Sequence, residues 1–154
     1  MKPVQNWLAE YAESHQNPIN IMIHWICVPL IMLSIIGLLA NINIPFLDDY
    51  PSFNHAGVLL IILGFVYYFF LSKTLLLGMI PISLIMLKII QELSKMSYPL
   101  WLISVIIFIL SWAGQFYGHK IEGKKPSFFK DIQFLMIGPL WLLSKLYKKI
   151  GISI

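Results

Sequence analysis

The chain has 154 residues, of which 58% are hydrophobic and only 12% are charged, whereas soluble domains average roughly half and a quarter. This balance excludes an ordinary soluble globule, and a chain so apolar is not a disordered or low-complexity protein. All 11 basic residues are lysines, so the arginine forks that read bases are missing, and nucleic acid is not an expected partner. We predict one membrane-embedded domain over residues 1–154, with room for about four crossings of ~20 residues each.

The first predicted element is a short amphipathic helix over residues 3–14, where Trp7, Leu8 and Tyr11 recur at helical spacing. Asn17 and Pro18 then supply an N-cap and a first-turn proline. They predict a spanning helix through the apolar run of residues 19–40. Residues 41–54 are rich in proline, aspartate and asparagine, and this composition is typical of a loop.

Three more apolar runs follow. Residues 56–71 and 74–90 are separated by two residues and are expected to form an antiparallel helical hairpin. A fourth run opens at Pro99 and is expected to end near Tyr117, with Gly118 as a left-handed cap. His119 would then lie just past the end of this helix.

The final predicted helix covers residues 128–149, with Ser127 as its cap. Gly138 and Pro139 interrupt its pattern, and its apolar core is too short for a comfortable crossing, so we expect it at the membrane interface or re-entrant. The sequence therefore predicts an all-α polytopic membrane bundle. It would contain about four hydrophobic helices and amphipathic helices at the N- and C-terminal ends.

The lysines indicate the orientation of such a bundle. With four crossings, nine lysines fall on one side of the membrane and only Lys88 and Lys95 on the other. The positive-inside rule then puts both termini in the cytoplasm. Four tryptophans near predicted helix ends are typical of an interfacial aromatic belt; they are Trp25, Trp101, Trp112 and Trp141.

Four histidines stand out in a chain that otherwise avoids ionisable groups: His15, His24, His55 and His119. In the four-crossing topology, His15, His24 and His119 lie near the same membrane surface and can converge. Imidazoles without competing thiolates suit iron, zinc or copper. His55 would start the second helix on the opposite side, ~25 Å or more from His24 by helical rise. It could share the metal only if Pro29 broke the first helix or if the long loop re-entered.

Other polar side chains lie close in sequence to these histidines. They could orient the imidazoles or complete the coordination, and they are Asn17, Asn20, Gln115 and Glu122. A group of lysines follows His119. These lysines either determine the membrane topology or attract an acidic lipid head group to the membrane surface. It includes Lys120, Lys124 and Lys125.

Four segments together resemble a known family. They are HQNPINIMIHWICVP from His15 to Pro29, HAG from His55, QFYGHKIEGKKP from Gln115 and the pair Gly138-Pro139. Their order and separation are similar to those of the membrane 2-hydroxy fatty acid dioxygenases, a family that includes the fungal endoplasmic-reticulum enzyme of phytosphingosine metabolism to odd-numbered fatty acids.

The resemblance implies an Fe(II)-dependent dioxygenase that shortens a 2-hydroxy fatty acid by one carbon and releases CO2. It implies that all four histidines are functional, with 2-hydroxy fatty acid, O2 and membrane lipid as partners. In fungi the membrane of this family is the endoplasmic reticulum, whereas many lysines and isoleucines without arginine indicate an AT-rich genome and a bacterial inner membrane. Two alternatives stay open: a membrane protein that ligates haem through paired histidines, and a non-catalytic lipid-binding protein.

Overall fold

Six α-helices make up the part of the chain that the structure describes. The computed structural model describes residues 2–45, 53–123 and 128–154, and of residues 128–133 it describes the backbone alone. No strand occurs in these ranges. The helices are α1 (Val4–Glu13), α2 (Pro18–Leu39), α3 (Ala56–Leu71), α4 (Lys73–Leu93), α5 (Leu100–Glu122) and α6 (Phe128–Ile150). The predicted all-α chain, with hydrophobic helices between two amphipathic terminal helices, is confirmed.

Within residues 2–45, 53–123 and 128–154, three helices are long and apolar enough to cross a membrane. They are α2, α4 and α5, with 22, 21 and 23 residues. Helix α3 is equally apolar but has 16 residues, which gives ~24 Å at the usual helical rise. A hydrocarbon core is ~30 Å thick, so α3 is the one predicted run that falls short of this length.

The helix boundaries follow from local capping. The Asn17 side chain accepts a hydrogen bond from the Ile19 amide at 2.9 Å, and Pro18 occupies the first turn of α2. Both features confirm the prediction. The predicted end of the fourth run near Tyr117 is wrong, because α5 continues to Glu122 and its left-handed cap is Gly123, with φ of 72°. His119 therefore lies inside the last turn of α5 and not beyond it.

Helices α2 and α5 pack closely against each other because small residues on one meet larger ones on the other. A Cβ on Gly37 would lie 2.3 Å from Ser104 Oγ, one on Gly114 would lie 2.7 Å from Cys27 Sγ, and one on Gly118 would lie 2.4 Å from Asn20 Oδ1. Side chains this small let helix backbones approach in apolar surroundings. The three contacts define an antiparallel register in which the start of α2 lies beside the end of α5.

Helices α1 and α6 pack together although they are the first and last in the chain. Val4, Leu8 and Tyr11, at helical spacing on α1, are buried in one apolar cluster with Leu140 and Trp141 of α6. Gln5 also donates a hydrogen bond from Nε2 to the carbonyl oxygen of Ile154 at 3.4 Å. The two ends of the chain therefore lie on the same side of the bundle.

Candidate metal centre

Three histidines from different parts of the chain meet at one end of the bundle. His15 lies in the turn between α1 and α2, His24 in the second turn of α2 and His119 in the last turn of α5. One ring nitrogen of each lies within 4.8 Å of the others, and the ring centroids are 4.3 to 5.2 Å apart. The predicted convergence of His15, His24 and His119 is therefore present in the structure.

The antiparallel register of α2 and α5 explains why His24 and His119 are neighbours. Asn20, one turn before His24, packs on Gly118, which directly precedes His119, and the His24 and His119 ring centroids are 5.1 Å apart. All three imidazoles are withdrawn from the surface, with exposed fractions of 4% for His15, 1% for His24 and 9% for His119. Helix packing thus places polar rings where polar groups are costly without partners.

The hydrogen bonds of His15 and His24 determine which nitrogen carries the proton. His15 Nδ1 lies 2.6 Å from the Tyr11 carbonyl oxygen, and His24 Nδ1 lies 2.9 Å from the Asn20 carbonyl oxygen. A carbonyl oxygen only accepts, so each Nδ1 donates. In the neutral rings both Nε2 atoms then carry lone pairs, and these two atoms lie 2.9 Å from each other.

Two facing lone pairs repel each other unless a cation lies between them. Burial, and then the neighbouring His24, lower the pKa of His15 from its ordinary 6.5 to about 3. At neutral pH His15 is therefore unprotonated, which is the form that binds a metal. Two nitrogens bound to one ion at ~2.1 Å lie at most ~4.2 Å apart, and the 2.9 Å separation satisfies this limit.

The donor set fits a divalent transition metal. Each ligating histidine in such sites usually donates its other N–H to a carbonyl or carboxylate, which orients the ring, and the Tyr11 and Asn20 carbonyls have this role here. Cys27 is buried against Gly114 and contributes no ligand to the cluster. Three neutral imidazoles without a thiolate are compatible with iron, zinc or copper.

Glu122 ties the end of α5 to the turn that carries His15. Its carboxylate accepts hydrogen bonds from the Gln16 amide at 2.8 Å, the Asn17 amide at 2.9 Å and Asn20 Nδ2 at 3.0 Å. We call this arrangement the Glu122 clasp. It joins residues more than 100 positions apart in sequence and holds His15 at a fixed place relative to His119, which is one turn before Glu122.

The remaining polar candidates differ in position. Asn17 and Asn20 belong to the clasp, and Asn17 also caps α2. Gln115 is buried, lines the same pocket as the histidines and interacts with His24 through its side chain. Lys120 is exposed next to His119, whereas Lys124 and Lys125 lie outside the described residues.

His55 is separated from the other three histidines. It precedes α3, where Gly57 packs against the Ile36 carbonyl, near the far end of α2. Ile36 is 12 residues beyond His24 in a helix that continues through Pro29, a distance of ~18 Å. The expectation that His55 shares the metal is therefore corrected, because the unbroken α2 keeps the two sites apart.

An aromatic wall beside His15 was not predicted. The Tyr11 ring stacks on His15 at 4.1 Å with 2° between the planes, and Trp141 of α6 lies 5.3 Å from His15. Trp141 is 3% exposed, so its assignment to an interfacial belt is wrong. The only available signal was the spacing of four residues between Tyr11 and His15, which places both on one side of a helical turn.

The histidines and Tyr11 surround a pocket of about 50 Å3, which Trp112 and Gln115 also line. The indole Nε1 of Trp112 is buried and has no hydrogen-bond acceptor among the described residues. A buried indole N–H usually has a partner. The lining of this pocket therefore includes an indole N–H that has no acceptor in the described part of the chain.

The chain is similar to known proteins over almost its whole length. A family model described as 2-hydroxy-palmitic acid dioxygenase Mpo1-like matches residues 1–150. The chain is 27% identical over 150 residues to the 2-hydroxy-palmitic acid dioxygenase MPO1 of Saccharomyces cerevisiae, covering 96% of this chain and 82% of that protein. No solved structure matches the chain significantly.

Proposed function

Because this chain belongs to the 2-hydroxy-palmitic acid dioxygenase Mpo1-like family, we propose that it is an Fe(II)-dependent dioxygenase of 2-hydroxy fatty acids. The product is the fatty acid one carbon shorter, with CO2 released. The observation that carries the metal part of the proposal is the pair of Nε2 lone pairs of His15 and His24, 2.9 Å apart. In this proposal His15, His24 and His119 are the ligands.

The proposed reaction balances without a further reductant. R-CH(OH)-COOH and O2 give R-COOH, CO2 and H2O, and the substrate loses the four electrons that O2 takes up. A bound iron(II) would supply a position for O2 and a Lewis acid for the substrate hydroxyl and carboxylate. A separate nicotinamide or 2-oxoglutarate site is therefore not required.

The chain's own residues would position the head group of the substrate. The Trp112 N–H, free of a protein acceptor in the described part of the chain, is suited to donate to the substrate carboxylate. Gln115, in the same pocket, would hold His24 in its orientation through their side-chain contact. Lys120, Lys124 and Lys125 would attract the carboxylate to the membrane surface.

The histidine spacing disfavours the haem alternative. Axial ligands of a haem lie on opposite faces of the porphyrin, whereas His15 Nε2 and His24 Nε2 are 2.9 Å apart. That gap does not admit a porphyrin plane. A Soret band in the purified protein would contradict this argument.

The test is anaerobic reconstitution with iron(II), followed by 2-hydroxypalmitate and O2, with the shortened acid measured by mass spectrometry. We expect pentadecanoate from the wild type. We expect none from His15→Ala, His24→Ala or His119→Ala, each with lost iron binding and preserved helicity. His55→Ala is the matched control and is expected to keep its iron. Wild-type protein that holds iron and shortens no 2-hydroxy acid would refute the proposal.

A further inference from the structure

A second cavity lies directly beside the histidine pocket. It has a volume of about 130 Å3 and lies between α2, α3, α4 and α6. Val28 and Leu135 line both this cavity and the histidine pocket. Val28 is one helical turn after His24, so the second cavity begins where the histidine pocket ends.

The lining of this cavity is almost entirely apolar. The side chains are aliphatic, aromatic or thioether groups, apart from Ser83 and the Tyr68 hydroxyl. The Tyr68 hydroxyl is already engaged, since it donates to the Met136 carbonyl at 2.9 Å. Such a surface binds hydrocarbon and offers little to a polar ligand.

The long axis of the cavity is oriented as the tail of a fatty acid in a membrane would be. The histidines lie at the ends of α2 and α5, where a carboxylate can remain near the polar interface. From Val28 the lining residues continue along α2 to Ile36, 12 residues beyond His24 and ~18 Å away by helical rise. A hydrocarbon chain that starts at the histidines would run inward along α2, parallel to the lipid tails.

We propose that this cavity binds the acyl chain of the 2-hydroxy acid and selects its length. The proposal rests on the proposed function, because the head group at the histidines identifies the occupant as the tail of the same molecule. The extent of this lining limits how many methylenes the cavity can hold, and this limit is the basis of the selection.

Gly64 of α3 is the position that best tests this assignment. It lines the cavity, and a Cβ added there would meet only Met136 Cε, at 3.5 Å. Gly64→Ala is therefore tolerated, whereas the ring of Gly64→Phe would occupy the space reserved for the chain. Leu63→Phe is the matched control, because Leu63 is on the same helix and is 58% exposed on the lipid-facing side.

The experiment compares kcat/KM for 2-hydroxypalmitate with that for 2-hydroxyhexanoate, whose tail is much shorter. Gly64→Phe is expected to lower the ratio of the two values at least tenfold through a higher KM for the long acid. Gly64→Ala and Leu63→Phe are expected to keep the wild-type ratio. A wild-type ratio in Gly64→Phe would overturn the proposal.

Photolabelling provides a readout that does not depend on turnover or on folding of the variants. A 2-hydroxy fatty acid with a diazirine at the end of its tail is expected to label Leu60 or Ile61, and excess 2-hydroxypalmitate should displace it. Labelling confined to lipid-facing residues, or labelling that the competitor does not displace, would overturn the proposal. If the wild type turns over neither acid but is labelled at Leu60 or Ile61, the proposed function fails while the cavity assignment stands.

Discussion

Removing the Glu122 carboxylate is expected to weaken metal binding without removing a ligand. In Glu122→Ala the amides of Gln16 and Asn17 and the side chain of Asn20 lose their shared acceptor. Hydrogen bonds to a charged group contribute about 1.5 to 3 kcal/mol each, so the low end of this range gives about 4.5 kcal/mol for three. Glu122 is half-buried, so water replaces part of this loss, and about 2 kcal/mol is a reasonable expectation.

The expected consequence is a loss of about 30-fold in metal affinity. This agrees with the 10- to 100-fold range typical of residues that orient metal ligands. The assay is anaerobic competition for iron(II) against a chelator of known affinity, repeated with zinc. Glu122→Gln keeps one acceptor oxygen and should lie between Glu122→Ala and the wild type.

Glu92→Ala is the matched control, since Glu92 is an exposed carboxylate that pairs only with Lys88 and Lys95 among the described ion pairs. It should bind iron as the wild type does. If Glu122→Ala also binds iron like the wild type while His15→Ala loses it, the clasp does not position His15, and the reasoning from its three hydrogen bonds is refuted.

Three further predictions concern the bundle. Gly114→Ala should destabilise the α2–α5 contact by about 1–3 kcal/mol, because its Cβ would lie 2.7 Å from Cys27 Sγ. In thermal melts, the double variant with Cys27→Ala should recover the lost stability. Absence of this recovery would contradict the contact. Metal-free protein should lose stability as pH falls from 6.5 towards 3. Over this range His15 is protonated in the unfolded chain but not in the folded chain, where its pKa is about 3. A melting temperature that does not change with pH would contradict the burial argument. Reporter fusions at Lys2 and Ile154 should both be cytoplasmic. The two chain ends lie on the same side of the bundle, and nine of the 11 lysines are assigned to that side. Reporters on opposite sides of the membrane would refute this topology.

Part of the site was predictable because it depends on residues that are close together in the sequence. Asn17 and Pro18 mark the start of α2, and the distance from there to His24 is fixed by helical geometry. Once the apolar runs were read as antiparallel helices, the start of α2 and the end of α5 had to lie at the same end of the bundle. The approach of His15, His24 and His119 follows from these two facts.

Other features depend on contacts between distant residues. Gly118 was expected to cap α5, because a glycine that ends a helix and one that admits a neighbouring side chain look alike in a single sequence. Only the contact with Asn20 distinguishes them. Trp141 was assigned to the membrane interface for the same reason, since its burial against His15 requires the packing of α6 on α1.

The Glu122 clasp has a consequence for biosynthesis. Gln16 and Glu122 are 106 residues apart, so the turn that carries His15 has no clasp until α5 has been synthesised. A nascent chain that ends before His119 contains two of the three clustered imidazoles, and it also lacks the α6 side chains that cover them. Closing such a long loop is costly in chain entropy. The centre can therefore assemble only late in synthesis of the chain. Truncated translation products would be unable to bind metal through this set of ligands.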